Sequence, residues 1–215
     1  MLNYPFANSY NLEVAATYSS MLNSPRWRSF DIQITPERAI NQTFDVQAGL
    51  TTSYTFQNET VSTIEIREMI GTRIHFTPNR RTLFRLLVRL ENRNFQNRET
   101  DNWTSSNRTR IRAESLFPIN KPTMFAGDKL WYTIVDVEIF YVMDQDLKER
   151  YANRFRLRTG LGYRLNYNWR LEFVYTFQMS KNAIDAVSTQ DNIFRFRIKH
   201  FINKGKPSQA TGNGN

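Results

Sequence analysis

The chain has 215 residues, no cysteine and two histidines, and its 29 lysine and arginine residues outnumber its 20 acidic residues, which gives a formal net charge of +9. This length allows one domain of ordinary size or two small ones, and the lack of cysteine excludes disulfide scaffolds, thiolate metal sites and thiol nucleophiles. Aromatic residues make up 14% of the sequence, which is too many for a disordered basic protein.

Alternation of apolar and polar residues predicts a series of β-strands, because strict alternation places the apolar side chains on one face of a strand. In chain order, the alternating segments are 12–18, 30–34, 44–56, 64–76, 84–93, 108–117, 131–141, 151–165, 169–178 and 194–202. They give about ten strands, within a range of 8–12, and turn-forming residues separate them. We therefore predict a single all-β domain over residues 1–202 and a flexible tail, rich in Gly and Asn, at 203–215.

Strand length and the nature of the polar residues favour a membrane barrel over a soluble fold. A soluble barrel or sandwich buries its apolar faces, whereas a membrane barrel turns them to lipid and its polar faces to the lumen. Segment 44–56 is longer than the usual strand, and a tilted membrane span needs about 9–11 residues. The polar faces are rich in arginine, whose planar group pairs well with carboxylates. The sequence therefore predicts a transmembrane, antiparallel, up-and-down β-barrel.

Aromatic residues near the ends of the apolar faces predict girdles at the two membrane interfaces. The predicted girdle consists of Trp131, Tyr141, Tyr151, Tyr163, Trp169 and Tyr175. Glu68 falls on the apolar face of Ile66 and Ile70, where a carboxylate at mid-bilayer would be costly. Either a bulge shifts the strand register there, or Glu68 lies near an interface.

Most of the basic residues fall on the faces assigned to the lumen. The lumen-facing, anion-attracting residues are predicted to be Arg108, Arg110, Arg112, Arg154, Arg156, Arg158, Arg164, Arg195 and Arg197. Their predicted carboxylate partners are Glu91, Glu114, Asp136, Glu138 and Glu172. With the remaining strands included, interior cations exceed interior carboxylates by about the whole net charge of the chain.

Two functions fit such a lumen. Ion pairs between arginine and carboxylates would fill a narrow barrel and give it a structural or interaction role. Alternatively, the unmatched cations would attract small anions into a narrow, porin-like passage. A wide pore is not expected, because open aqueous channels belong to barrels of about sixteen strands. The bilayer itself, other outer-membrane subunits and small anions are the partners that these functions imply.

Other functions find less support in the sequence. A soluble β-barrel or sandwich that binds an anionic ligand is the main alternative, and a membrane-barrel hydrolase that uses His75 is a second. No motif marks a nucleophile near either histidine, and no metal ligand cluster or cofactor motif is present, so neither an enzyme nor a cofactor is expected. Nucleic acid is not an expected partner, because neighbouring arginine and aromatic residues of a strand point to opposite faces.

The region of residues 154–175 resembles a penultimate hairpin in a family of small Gram-negative outer-membrane β-barrels of unknown function. The resemblance is carried by Arg154, Arg156, Arg158, Gly160, Gly162, Tyr163, Leu165, Asn166, Trp169, Leu171, Glu172 and Tyr175. The strand pattern is similar to that family from about Ser9 to Phe201, including a last strand that ends in an aromatic residue. This resemblance implies residence in the cell outer membrane and periplasmic termini, and it offers no known catalytic residues to carry over.

Overall fold

The computed structural model describes residues 1–7, 9–20, 27–57, 60–77, 81–143, 153–181 and 188–202, and within these ranges the chain is entirely β-strand and turn. The strands are β1 (Leu2–Ala7), β2 (Tyr10–Ser20), β3 (Arg28–Ala39), β4 (Phe44–Gln57), β5 (Thr60–His75), β6 (Leu83–Asn97), β7 (Trp103–Pro118), β8 (Leu130–Val142), β9 (Asn153–Arg164), β10 (Trp169–Lys181) and β11 (Ser188–Phe201). Among these residues there is no apolar helix of membrane-spanning length.

The ten long strands β2–β11 follow one another around the sheet, and consecutive strands of this series are antiparallel. The all-β fold and its up-and-down topology are therefore confirmed. These strands match the ten alternating segments of the sequence in order, although most of them extend further at their ends. The predicted flexible tail at 203–215 lies outside the described residues.

A short first strand closes the barrel. β1 is antiparallel to β2 and parallel to β11, where Leu2 faces His200 and Asn3 faces Phe201. The backbone N–H of His200 donates to the carbonyl of Met1 at 2.9 Å. The sequence analysis predicted no strand here, because six residues that include a proline show too little alternation to be detected.

The two faces of the sheet are the reverse of those of a soluble protein. Large apolar side chains cover the outside, where Phe173 is 53% exposed and Phe196 is 63% exposed. Charged side chains fill the inside, where Glu138 is fully buried and Arg158 is 5% exposed. A small apolar cluster lies inside as well, formed by Leu116, Met124, Leu130, Tyr132, Ile134 and Val174.

Glu68 faces outwards without any irregularity of its strand. Its neighbours in register are Leu50 on β4 and Asn92 on β6, and the only register shift between β4 and β5 lies further along, at Thr55 and Phe56. Outward positions from Asn92 onwards on β6 are polar, and the side chain of Asn92 donates to that of Asn107 at 2.9 Å. Glu68 therefore lies where the apolar outer surface gives way to a polar rim.

Asparagine side chains shape the turns at the end of the barrel where β11 finishes. The side-chain oxygen of Asn41 accepts from the backbone N–H groups of Thr43 and Phe44, both at 2.8 Å. Asn166 does the same for the N–H groups of Asn168 and Trp169. Such bonds replace part of the backbone ladder in a tight turn. We call this the turn end of the barrel and the opposite side the loop end.

Candidate functional site

The predicted lumen arginines lie on three strands, β7, β9 and β11, at positions that point inside. On β7 and β9 they alternate with exposed residues such as Ile111, Leu157 and Leu161. The side chain of Arg154 lies outside the described residues, and its backbone belongs to β9. The interior of the barrel is thus built from the polar faces that the sequence marks, and the ion pairs among them define the candidate site.

Glu91 and Glu138 are the central carboxylates of this site. Arg108 Nε donates to Glu91 Oε2 at 2.6 Å, and Arg110 Nη1 donates to Glu91 Oε1 at 2.8 Å. Arg110 also reaches the next strand, where its Nη2 lies 2.5 Å from Glu138 Oε1. Arg110 therefore links β6 and β8 across β7, since its two terminal nitrogens bind different carboxylates.

The second oxygen of Glu138 is shared by arginines of β9. Arg158 Nη2 lies 3.2 Å from Glu138 Oε2, and Arg158 Nε donates to Asp136 Oδ1 at 2.5 Å. Arg156 Nη1 lies 3.5 Å from the same Glu138 oxygen. Glu138 thus has three guanidinium contacts, and as a fully buried carboxylate it depends on them for its solvation.

Phe140 covers this cluster on its loop side. Its ring is buried inside the barrel, two residues from Glu138 on the same face of β8. The guanidinium carbons of Arg108, Arg110 and Arg156 lie 5.0, 4.8 and 4.8 Å from its centre. Cation–π contacts of this kind strengthen when water is excluded. The sequence analysis missed Phe140, although it shares the parity of Asp136 and Glu138.

Towards the turn end, a second cluster forms around the carboxylate of Glu172 and spans the four strands β8–β11. Tyr132 Oη donates to Glu172 Oε1 at 2.8 Å, and Lys199 Nζ lies 2.8 Å from the same oxygen. Arg197 Nη1 lies 3.4 Å from the other oxygen of Glu172. Tyr132 reaches Glu172 by lying across Gly162, which separates them in register. Only a residue without a side chain leaves space for the ring there.

The turn at 119–129 folds back against the turn end of the interior. Met124 from this turn is 2% exposed and belongs to the apolar cluster with Leu130 and Tyr132. Its carbonyl accepts from Arg164 Nη2 at 2.7 Å, which accounts for the inward position of that predicted residue. Glu114 pairs with Arg85 nearby on β6. This part of the lumen is therefore filled by side chains.

The interior is less basic than the sequence analysis expected, because it contains carboxylates that were not assigned to it. The five missed carboxylates are Glu13, Asp31, Glu37, Asp45 and Asp191. With them, the described interior has fifteen Lys and Arg side chains and eleven carboxylates, an excess of four rather than nearly the whole net charge. Alternation within each strand could have assigned these carboxylates to the interior. Glu37, for example, lies on the same face of β3 as Gln33 and Thr35.

His75 belongs to an ion-pair cluster at the turn end of β5. Its Nε2 lies 2.6 Å from Asp45 Oδ2, and Arg73 Nη1 lies 3.6 Å from the same oxygen and 2.6 Å from Glu37 Oε2. Ser62, the serine of the same strand, lies at its opposite end and donates to the carbonyl of Thr55. In the described part of the chain, no serine hydroxyl bonds to His75.

The predicted girdle residues fall into three groups. Trp131 and Tyr163 pack together at the turn end with ring centres 4.5 Å apart, and Trp169 stacks on His200 there at 4.2 Å. Tyr141 is 65% exposed at the loop end of β8. Tyr175 lies in the middle of β10, and its hydroxyl donates to the side-chain oxygen of Asn192. Tyr151 lies outside the described residues.

One family model matches the chain. The family of proteins of unknown function DUF2490 covers residues 1–189, which is most of the barrel from β1 into β11. No curated protein and no solved structure matches the sequence. This match agrees with the predicted membership of a family of unknown function. Residence in the outer membrane stays a prediction. The chain belongs to the DUF2490 family.

Proposed function

We propose that this protein is an outer-membrane β-barrel whose interior is held together by ion pairs and whose role is structural or interaction-based. The observation that carries the proposal is the inversion of its two faces. Side chains such as Ile70 and Phe194, 60% and 66% exposed, form a continuous outer surface. Soluble monomers rarely expose apolar patches larger than a few hundred Å². Lipid is the solvent that suits such a surface.

The dense interior supports a scaffold rather than a wide pore. Buried ion pairs of Glu91 and Glu138 link β6 to β9, those of Glu172 link β10 to β11, and the turn at 119–129 fills the turn end. Breaking such pairs exposes uncompensated charge, so the network resists deformation of the barrel. A rigid barrel with a filled lumen acts through its surfaces, by contact with lipid or with other outer-membrane subunits.

The excess of interior cations favours a second candidate function, a narrow passage for small anions. Arg89, Arg112, Arg170 and Arg195 make no ion pair with a carboxylate of the described residues. Unpaired cations that line a lumen lower the energy of an anion inside it. Single-channel recording in planar bilayers tests this candidate, because a scaffold with a closed lumen conducts no ions.

Heat modifiability tests the membrane proposal directly. The purified protein is folded in detergent and compared on a gel with and without boiling, since a folded membrane barrel resists unfolding by the gel detergent and migrates differently. We expect two distinct bands, and near-native β-structure only in detergent or lipid. A protein that stays monomeric and folded in buffer without detergent would instead be the soluble β-barrel or sandwich that binds an anionic ligand.

A further inference from the structure

We propose that three interior arginines, Arg89, Arg112 and Arg195, form a binding site for a small multivalent oxyanion of the phosphate class. The proposal rests on the anion-attracting lumen of the second candidate function and gives that lumen a specific site. The three side chains come from interior positions of β6, β7 and β11. The carboxylate of Glu138 acts electrostatically on all three guanidinium groups.

Arg112 lies next to Glu138 without bonding to it. The two residues face each other in register on β7 and β8, so their Cβ atoms are direct neighbours. The oxygens of Glu138 are taken by Arg110 and by Arg158. Arg112 Nε is buried without a hydrogen-bond partner. Glu114, Glu138 and Asp136 act on its guanidinium group electrostatically, but it donates a hydrogen bond to no carboxylate of the described residues.

Arg89 lies among like charges. It faces Arg110 in register and is a diagonal neighbour of Arg112, and like charges in these positions repel. Its Nη1 lies 3.2 Å from Met69 Sδ, which is a weak acceptor, and its Nε is buried without a partner. On its other side Arg89 faces Gly71, so its stem lies against bare backbone. A bound anion would screen the repulsion and accept these hydrogen bonds.

Arg195, on β11, adds a third interior cation. Its neighbour in register on β10 is Val174, which offers no acceptor, and it makes no ion pair within the described ranges. The charges that act on it most strongly are those of Arg197, Arg158, Asp31 and Glu138, in that order. Five carboxylates act electrostatically on the three arginines, namely Asp31, Glu91, Glu114, Asp136 and Glu138. Five further arginines pair with these carboxylates, namely Arg85, Arg108, Arg110, Arg156 and Arg158, so eight guanidinium groups meet five carboxylates.

This local excess of charge points to a multivalent oxyanion. An uncompensated charge inside a barrel is costly, and a dianion would balance most of the excess. Guanidinium groups bind the oxygens of phosphate in a bidentate manner, which a halide cannot reproduce.

Binding of inorganic phosphate to the detergent-folded protein tests the site. We expect phosphate to raise the thermal unfolding temperature above that in chloride at equal ionic strength, with broadening of the phosphate ³¹P signal. The double variant Arg89→Gln/Arg112→Gln should weaken the affinity at least about tenfold, since hydrogen bonds to a charged group are lost. The matched control Arg170→Gln removes an interior cation that stacks on Phe201, away from the site, and should bind as the wild type does.

Two outcomes would overturn the proposal. In the first, phosphate and chloride act alike on the wild type, and in the second, the control loses binding as much as the double variant does. Should the double variant fail to fold, Arg195→Gln alone replaces it, because that side chain has no ion pair to break in the described chain. Mixed micelles with phosphatidic acid, compared with phosphatidylcholine, show whether a lipid headgroup rather than a free ion supplies the phosphate.

The site and the passage can fail separately. Phosphate binding without ion conduction would support the site and contradict the passage. Anion-selective conduction without phosphate binding would contradict the site and leave the passage intact.

Discussion

At the scale of single residues, glycines inside the barrel provide space rather than unusual backbone angles. None of the described glycines has a positive φ. A Cβ at Gly162 would lie 2.3 Å from the ring of Tyr132, and one at Gly49 would lie 2.4 Å from the methyl group of Met69. In both places a long side chain of one strand lies flat across the next strand. The glycine is what lets Tyr132 reach Glu172 two strands away.

Substitution of Gly162 should therefore destabilise the barrel. We expect Gly162→Ala to lower the free energy of unfolding by about 1–3 kcal/mol, because the added methyl group overpacks the site and displaces the Tyr132 ring. Urea titration of the protein in detergent micelles measures the change. Gly127→Ala is the matched control, since a Cβ there meets nothing within 4 Å. Equal effects of the two substitutions would mean that the contact between Tyr132 and Gly162 has no energetic role.

Glu138 should be the most sensitive carboxylate of the interior. Glu138→Gln removes the charge that Arg110, Arg156 and Arg158 share, so three interior cations lose their common partner. We expect a loss of about 3–5 kcal/mol in the free energy of unfolding. Glu68→Gln is the control, because Glu68 is exposed on the outside and should change stability by less than about 0.5 kcal/mol. A loss at Glu138 no larger than at Glu68 would contradict the ion-pair network.

At the scale of strands, alternation alone predicts most of the fold. Segment 169–178 shows why, since exposed Leu171 and Phe173 alternate strictly with buried Glu172 and Val174. Pairing between strands is not predictable in this way, because it depends on register. Glu91 faces Arg108 directly, whereas Arg73 bonds to Glu37 across an intervening strand. The acidic residues of β3 and β4 were missed because no run of charges marks those strands.

Two arginine substitutions on one strand can show whether lipid or water surrounds the outer face of the barrel. Phe196 and Gln190 lie on the outward face of β11, the first near its middle and the second near its loop end. In a membrane we expect Phe196→Arg to cost about 2–4 kcal/mol and Gln190→Arg about 0–1 kcal/mol. Unfolding titrations in lipid bilayers measure both. If Phe196→Arg is as mild as Gln190→Arg, the surface faces water and the membrane proposal fails.

At the scale of the whole molecule, the interior is divided into two electrically different walls. The described inward positions of β2–β4 carry four carboxylates, Glu13, Asp31, Glu37 and Asp45, and no lysine or arginine. The cations lie on β5–β11, where they outnumber the carboxylates. The lumen therefore has an excess of positive charge, and that charge lies on one wall while the other wall is acidic. An anion inside would be held against the basic wall.

This asymmetry makes a prediction about ion selectivity. If the lumen conducts, we expect small, anion-preferring currents in planar bilayers, because interior cations favour anions. Arg195→Gln should lower the ratio of anion to cation permeability, since it removes a lumen cation without leaving a carboxylate of the described chain unpaired. Arg38→Gln is the matched control, because Arg38 lies on the outer surface against Tyr10 and its substitution changes the net charge equally.

If both variants shift the permeability ratio alike, net charge rather than the lumen sets the selectivity. If neither shifts it, Arg195 does not line the conducting path.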